Sequence, residues 1–137
     1  MPSSHHYTVC HLFEMVFASE LPQLYNTFQL SGYSPSVVLR CWLNQCYVNY
    51  LDWSEIEDFL LLCLLCGPEM IVFSAVAMMR HLSMRLVTAL QAKNHLQVLL
   101  EEPIGGFRFV DNLDFLELLA DKYNEEVATE LMSTPSD

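Results

Sequence analysis

Two apolar runs, Phe59–Cys66 and Ile71–Met79, are separated by a short turn signal, and this arrangement constrains the fold more than any other feature. The first run is apolar at every position, and the second is interrupted only by Ser74. A membrane-spanning helix needs about 20 continuous apolar residues. Gly67–Glu69 breaks the stretch, since glycine and proline favour a helix boundary and a carboxylate is unfavourable in lipid. The pattern therefore predicts two buried helices that meet at a tight corner rather than a transmembrane segment.

The helical spacing of apolar residues extends over most of the chain. Upstream of the two runs, three short helical faces comprise Val9, Leu12, Phe13, Val16 and Phe17, then Leu21, Leu24, Tyr25 and Phe28, then Val38, Leu39, Trp42, Cys46 and Tyr50. Downstream, the spacing predicts one central helix from Pro68 to about Ala92, a short helix over His95–Leu100, and a last helix that begins near Asp111 or Asn112. No segment alternates with period two, so we expect an all-α fold without a sheet.

Glycine, proline and small polar residues mark the predicted helix ends. Gly32 is placed to end one helix, and Ser34 followed by Pro35 provides an N-cap and a first-turn proline for the next. Asp52 and Glu55 have the spacing of a capping box, in which two side chains satisfy the first free N–H groups of a helix. We therefore expect a further helix to begin directly after Asp52.

The composition is that of a single domain with an unusually apolar chain. The protein has 137 residues, of which 53% are hydrophobic. This excess predicts either a well-filled helical core or an apolar face left for a partner. Trp42 and Trp53 each lie within or at the start of an apolar helical face, so we expect both in the core.

The charge balance excludes two classes of partner. The formal net charge is −11, and nucleic-acid binding requires a basic surface that is missing here. An anionic membrane surface would be repelled for the same reason. The segment Glu101–Asp137 carries −8 of this charge. Such a face is usually just solvated, although it could also steer a basic partner.

The five cysteines, Cys10, Cys41, Cys46, Cys63 and Cys66, are odd in number and lie mostly in apolar stretches. No secretory signal precedes them, so we expect buried thiols in a reducing cytoplasm. Cys63 and Cys66 have the spacing of a zinc knuckle, and Cys41 and Cys46 would complete four thiolates. Because zinc pairs usually lie on tight polar turns and these lie among leucines, we expect no metal.

The remaining polar motifs suggest no catalytic or cofactor-binding residue. His5 and His6 belong to a polar N-terminal segment, and His81 fits an interhelical hydrogen bond better than a Cys–His pair. The pair Gly105-Gly106 is too short for a phosphate-binding loop and instead predicts a turn with a positive φ angle. We therefore expect no catalytic, cofactor-binding or metal-ligating residue and no cofactor.

The middle of the chain resembles the C-terminal half of a TBC domain, the fold of the Rab GTPase-activating proteins. The residues that carry the resemblance are Pro35, Val38 and Trp42, then Leu51-Asp52-Trp53-Ser54-Glu55-Ile56, then Cys63, Gly67, Phe73, Ala77 and Arg80-His81-Leu82. Leu12–Ser31 resembles the preceding helices, and Glu101–Leu113 resembles the end of a divergent TBC member. The resemblance implies an orthogonal array of helices like the C-terminal lobe of that domain.

Catalytic members of the TBC family use an arginine finger in an I-x-x-D-x-x-R motif and a glutamine finger in a Y-x-Q motif. Neither motif occurs in this sequence. The arginine of such enzymes stabilises the charge of the transition state and supplies most of the acceleration. The resemblance therefore implies no catalytic residue here, and a full TBC domain of roughly 200 residues would be longer than this chain.

These observations lead to one main hypothesis and two alternatives. Residues 1–8 are predicted as a polar tail, 9–131 as a partial TBC-like domain, and 132–137 as a second polar tail. The main hypothesis is a non-catalytic protein-interaction module in Rab-linked membrane or ciliary traffic, cytoplasmic, with the cilium base as a candidate location. Its partners would be proteins, such as a Rab-type GTPase or a ciliary scaffold. The alternatives are a Rab GTPase-activating protein that takes its fingers from elsewhere, and a structural helical protein unrelated to Rabs.

Overall fold

The computed structural model describes residues 4–92 and 104–133, and within these ranges the chain is helical without a strand. The helices are α1 (Ser4–Glu20), α2 (Pro22–Ser31), α3 (Pro35–Asn44), α4 (Trp53–Cys66), α5 (Glu69–His81), α6 (Ser83–Ala92) and α7 (Leu113–Ser133), with a 3₁₀ turn at Phe109–Asn112 before α7. The predicted all-α fold is confirmed, and its arrangement is consistent with a TBC C-terminal lobe. The predicted helix over His95–Leu100 lies outside the described residues.

Helix α5 forms the centre of the core, as its apolar run predicted. Nearly every residue of Met70–Met79 is buried, and the helix packs against α1, α4, α6 and α7. A helix that is apolar on all sides needs neighbours on all sides, and these four provide them. Helix α7 also packs along α1, where the Tyr123 hydroxyl donates a hydrogen bond of 2.6 Å to the Glu20 carboxylate.

The predicted central helix from Pro68 to Ala92 is wrong, because it is two helices. The chain bends by 70° between α5 and α6, at Leu82. No glycine or proline marks this break, and both halves keep a buried apolar face, so the periodicity continues across it. The bend takes α6 away from α5 and packs it against α2, where Leu86 and Leu90 are buried.

Within the described ranges, no single helix has both the length and the apolar character needed to cross a membrane. The bent pair of α5 and α6 reaches that length and composition only when the two helices are taken together.

The helix boundaries agree with several of the predicted capping residues. The Ser34 hydroxyl accepts a hydrogen bond of 3.2 Å from the Ser36 N–H, and Gly32 ends α2 with φ +82°. Gly67 ends α4 as expected. The N-terminal boundary differs, because α1 begins at Ser4 and includes residues that we predicted as a tail. At the other end, α7 continues to Ser133, two residues beyond the predicted domain limit.

The two tryptophans differ in environment. Trp42 is 1% exposed and packs near the buried ring of Tyr47, as expected for a core residue. Trp53 is 68% exposed, so its predicted burial is wrong. It is the first residue of α4 and projects away from the inner face, which is formed by Ile56 and Phe59.

Candidate functional site

Helix α4 has a buried inner face and an apolar outer face. Its inner side buries Glu55, Ile56 and Phe59 and packs against α5 and the 3₁₀ turn. Its outer side carries four leucines that we call the α4 leucine face: Leu60, Leu61, Leu64 and Leu65, with exposures of 50%, 52%, 83% and 73%. Single exposed leucines are ordinary, but four adjacent ones on a short helix form a patch that is typical of an interaction surface.

A groove lies at the N-terminal end of the same helix. It encloses about 440 Å³, and Trp53 and Ile56 line it together with the Tyr50–Asp52 segment and the turn Ile104–Gly106. The Ile104 N–H donates a hydrogen bond of 2.7 Å to the Tyr50 carbonyl, which holds the two sides of the groove together. Trp53, Leu60 and Leu64 follow i, i+7, i+11 spacing along α4, so the exposed indole lies on the same side of the helix as the leucine face.

The turn between α3 and α4 has an unusual backbone. Cys46, Tyr47 and Asn49 have φ angles of 50°, 62° and 76°, in the left-handed region that residues other than glycine seldom adopt. Asparagine tolerates this conformation, whereas cysteine and tyrosine adopt it only where packing enforces it. The fully buried Tyr47 ring provides that packing, because its centroid lies 5.0 Å from the Phe59 ring and 6.0 Å from the Trp42 ring.

The phenol of Tyr47 is the basis of one stability prediction. Its hydroxyl is buried and finds no hydrogen-bond partner among the described residues, and burial raises the pKa of this phenol far above its usual value. Tyr47→Phe should therefore stabilise the fold by about 1 kcal/mol, since it removes an unsatisfied polar atom and keeps the ring. Urea unfolding followed by circular dichroism measures the change. A loss of stability would mean that the hydroxyl has a partner.

Glu55 connects α4 to the distant 3₁₀ turn. Its buried carboxylate accepts a hydrogen bond of 2.7 Å from the Phe109 N–H. The predicted capping box is thus wrong in its chemistry: Asp52 occupies the N-cap position without a side-chain bond, and Glu55 binds another segment. Sequence spacing alone cannot show this, because Phe109 lies 54 residues away.

Removal of the Glu55 carboxylate should lower the stability of the fold, because it removes a contact that holds α4 against the 3₁₀ turn. Glu55→Ala would leave the buried Phe109 N–H unsatisfied, at a cost of about 1–2 kcal/mol in the free energy of unfolding. Glu55→Gln keeps an acceptor oxygen and should recover most of the loss. Denaturant titration of both variants tests the pair, and equal stability of the alanine and glutamine variants would contradict the assigned role.

The surroundings of the α4 leucine face are acidic. No lysine, arginine or histidine occurs anywhere from Cys41 to Met79, whereas Asp52, Glu57 and Asp58 are exposed on or next to α4. A second acidic stripe runs along the outer side of α7, where Asp114, Glu117, Asp121 and Glu125 are exposed. On that helix Lys122 is paired with Glu20 at 3.2 Å. Both surfaces therefore favour basic partners over acidic ones.

The arginines of α3, α5 and α6 lie outside this acidic surface. Arg40 is exposed on α3, and Arg85 is exposed on α6. Arg80 donates a hydrogen bond of 3.1 Å to the Asn112 Oδ1 atom, and its guanidinium lies 3.7 Å from the Phe115 ring centroid. These contacts hold Arg80 between α5 and the start of α7, and its partial burial lowers its pKa.

The cysteines are less buried than we expected. Only Cys10 is buried, while Cys46 and Cys66 are exposed and Cys41 and Cys63 are half-buried, so the prediction of buried thiols is wrong for most of them. Burial raises the pKa of the Cys63 thiol to about 11, so it stays protonated at neutral pH. Reactive cysteines show the opposite shift.

Of the two remaining predicted polar features, His81 contacts a loop rather than another helix, and the turn at Gly105-Gly106 has the expected backbone. The Nε2 atom of His81 and the Gly105 carbonyl are 2.7 Å apart, and its ring packs edge-on against Phe107. Gly106 adopts φ +75°, the positive angle that the glycine pair predicted.

A second, smaller groove of about 270 Å³ lies between α1 and α3 and is lined by His6, Tyr7, Cys10, His11, Glu14, Ser36 and Arg40. The Glu14 carboxylate accepts hydrogen bonds from the hydroxyls of Ser34 and Ser36, at 3.3 Å and 2.9 Å, at the N-terminus of α3. Its charge is thus used to hold α1 on α3.

The half-buried His6 belongs to α1 and not to a solvated tail as predicted.

Comparison with known proteins decides the family. The model of the broad-minded protein Rab TBC domain matches residues 3–134. The chain belongs to this family. It is 36% identical over 123 residues to the broad-minded protein of Danio rerio and 31% identical to that of Mus musculus, with 90% of this chain covered in each case. The chain spans about 10% of the length of these broad-minded relatives. No solved structure matches it.

The α4 leucine face is the part of the candidate site that the sequence pattern predicts least well. The prediction that the whole run Phe59–Cys66 is buried is wrong, because only its residues on the inner side of α4 reach the core. The run itself indicates that α4 needs apolar neighbours on its outer side as well, because a helix that is apolar on every side needs a neighbour on every side. Among residues 4–92 and 104–133, helix α4 has such neighbours on its inner side only.

Proposed function

We propose that this chain is a non-catalytic TBC-like module that acts through protein contacts in Rab-linked membrane or ciliary traffic. The observation that carries the proposal is the α4 leucine face, an exposed apolar surface on a domain whose sequence contains neither finger motif. Membership of a family described as a Rab TBC domain supports the link to Rab GTPases. A Rab-type GTPase or a ciliary scaffold is the proposed partner, and cytoplasm near the cilium base is the proposed location.

The placement of the arginines supports the non-catalytic part. A finger must extend a guanidinium to the γ-phosphate of a bound nucleotide, next to a group that orients the attacking water. Arg80 is held by Asn112 and Phe115, and Arg40 and Arg85 lie on different helices, α3 and α6. The strongly negative chain would also oppose the approach of a nucleotide phosphate.

The alternative is a Rab GTPase-activating protein that takes its fingers from another segment or another chain. The observation that favours it is the length of the relatives, since this chain corresponds to only a tenth of each. In that case the helices described here would pack against a separate catalytic half, and that half would carry the two fingers.

Direct binding to Rab proteins tests the proposal. The purified chain is immobilised and exposed to a panel of Rabs loaded with GDP or with a non-hydrolysable GTP analogue. We expect at least one Rab to bind, and the Arg40→Ala and Arg85→Ala variants to bind it equally well. If no Rab binds while a complete TBC domain does so in the same assay, the Rab-linked part of the proposal is wrong.

A further inference from the structure

The α4 leucine face combines three properties that together define its partner. Its leucines are exposed, its helix is held in place by buried contacts on the inner side, and the segment Cys41–Met79 that contains it carries acidic but no basic side chains. The anchoring comes from Phe59, which packs against Tyr47, and from the Glu55 contact with the Phe109 N–H. Because α4 is fixed in this way, a ligand would meet a surface that is already ordered, which reduces the entropy lost on binding.

We propose that the α4 leucine face binds an amphipathic helix of another protein, whose apolar stripe is bordered by lysine and arginine residues. This inference rests on the proposed function, because it specifies the partner of a protein-interaction module. An amphipathic ligand helix places apolar anchors at successive turns, and the exposed leucines of α4 offer apolar contacts for such anchors.

The dimensions fit a ligand of a few helical turns. Leu60, Leu61, Leu64 and Leu65 lie on one side of α4, and Trp53 lies at the other end of the same helix. At 1.5 Å per residue, the distance along α4 from Trp53 to Leu65 is roughly 18 Å, which corresponds to about three turns of an opposing helix. The Trp53 groove would then receive one terminal anchor of the ligand.

The acidic side chains beside the α4 leucine face favour a basic helix as the ligand and disfavour a second copy of this chain. A second copy would bring its own Asp52, Glu57 and Asp58 towards the same three acids, and the whole chain carries −11. Like charges at an interface rim suppress the wrong partner, whereas a basic rim accelerates association and fixes orientation. The same acids oppose an anionic lipid surface.

A designed peptide tests the inference. The probe is an 18-residue fluorescein-labelled helix with leucines at i, i+3, i+4 and i+7 spacing and lysine or arginine on both flanks. The control peptide has glutamate at every basic position. Binding to the 137-residue chain is measured by fluorescence anisotropy. Two variants are compared, Leu64→Glu on the face and Leu30→Glu on α2, where Leu30 is 91% exposed. Circular dichroism verifies that both variants fold.

We expect the basic peptide to bind the chain and the Leu30→Glu variant equally, and to bind Leu64→Glu at least ~10-fold more weakly, a loss typical of an interface anchor. The acidic control should also bind at least ~10-fold more weakly. Failure of the basic peptide to bind, or equal weakening by both variants, would overturn the inference.

Two further outcomes would assign the face to another occupant. A dimer in sedimentation that Leu64→Glu dissociates would identify a second copy, and binding to phosphatidylcholine vesicles that Leu64→Glu abolishes would identify a membrane. Either result overturns the basic-helix inference. The Rab-binding assay is a separate experiment. If the chain binds the basic peptide but no Rab, only the proposed link to Rab proteins is contradicted.

Discussion

Replacement of Trp42 by alanine should lower the free energy of unfolding by about 3–5 kcal/mol, the range observed for other buried aromatic truncations. The indole is 1% exposed, packs near Tyr47, and lies on α3 next to the left-handed turn that leads into α4. Its loss removes apolar contacts and leaves a cavity that the surrounding helices cannot fill completely. For a domain of this size the melting temperature should fall by roughly 10–20 °C.

Trp53→Ala is the matched control for this change. The same side chain is removed, but from an exposed position at the start of α4. We expect the stability to change by no more than about 0.5 kcal/mol, as is usual for surface substitutions. Thermal unfolding followed at 222 nm compares the two variants. Equal losses in both would contradict the different environments that the structure assigns to them.

Gly67→Ala should destabilise the chain by about 2–3 kcal/mol, within the range for backbone strain outside the regions open to residues with a side chain. Gly67 has φ +109° and ψ 166°, a combination that is essentially confined to glycine. A Cβ atom at this position would also collide with the buried carboxylate of Glu69. The Glu69 side chain would have to move, and the strained backbone at Gly67 would still oppose the substitution at the corner between α4 and α5.

Gly105→Ala provides the control for that substitution. Gly105 has no positive φ angle, and an added Cβ would have no atom within 4 Å. Its substitution should leave the unfolding free energy within about 0.5 kcal/mol of the original. Guanidinium chloride unfolding of the two variants gives the comparison. A Gly67→Ala variant as stable as Gly105→Ala would show that the corner tolerates another backbone conformation.

Local capping chemistry made much of the fold predictable. Gly32, Ser34-Pro35 and Gly67 mark real helix ends, because each supplies a conformation or a hydrogen bond that the helix end requires. The apolar run of α5 predicted its central position for a similar reason, since only a helix with neighbours on all sides can be apolar all round.

Features that depend on tertiary packing were not predictable in this way. The break at Leu82 has no local signal, and it follows from the packing of α6 on α2. Glu55 has the spacing of a capping residue, yet it binds Phe109 from another part of the chain. Trp53 begins an apolar segment but faces outward, because periodicity does not indicate which side of α4 meets the core.

The candidate site was predictable only in outline. The composition predicts either a well-filled core or an apolar face left for a partner, and the sequence shows no basic residue between Cys41 and Met79. The identity of that face as the outer side of α4 required the packing of α4 on α5 and the 3₁₀ turn. The basic, helical partner is inferred from two properties together: the exposed leucines on the outer side of α4 and the absence of basic residues in the same segment.

Single-turnover GTP hydrolysis tests the central claim, that this chain is an interaction module without catalytic fingers. A panel of GTP-loaded Rabs is mixed with excess chain, and the hydrolysis rate is compared with the intrinsic rate. We expect no acceleration, because the sequence offers neither finger motif and Arg80 is held by Asn112 and Phe115. Acceleration of ~100-fold or more, abolished by Arg40→Ala, Arg80→Ala or Arg85→Ala, would reveal a finger and contradict the account.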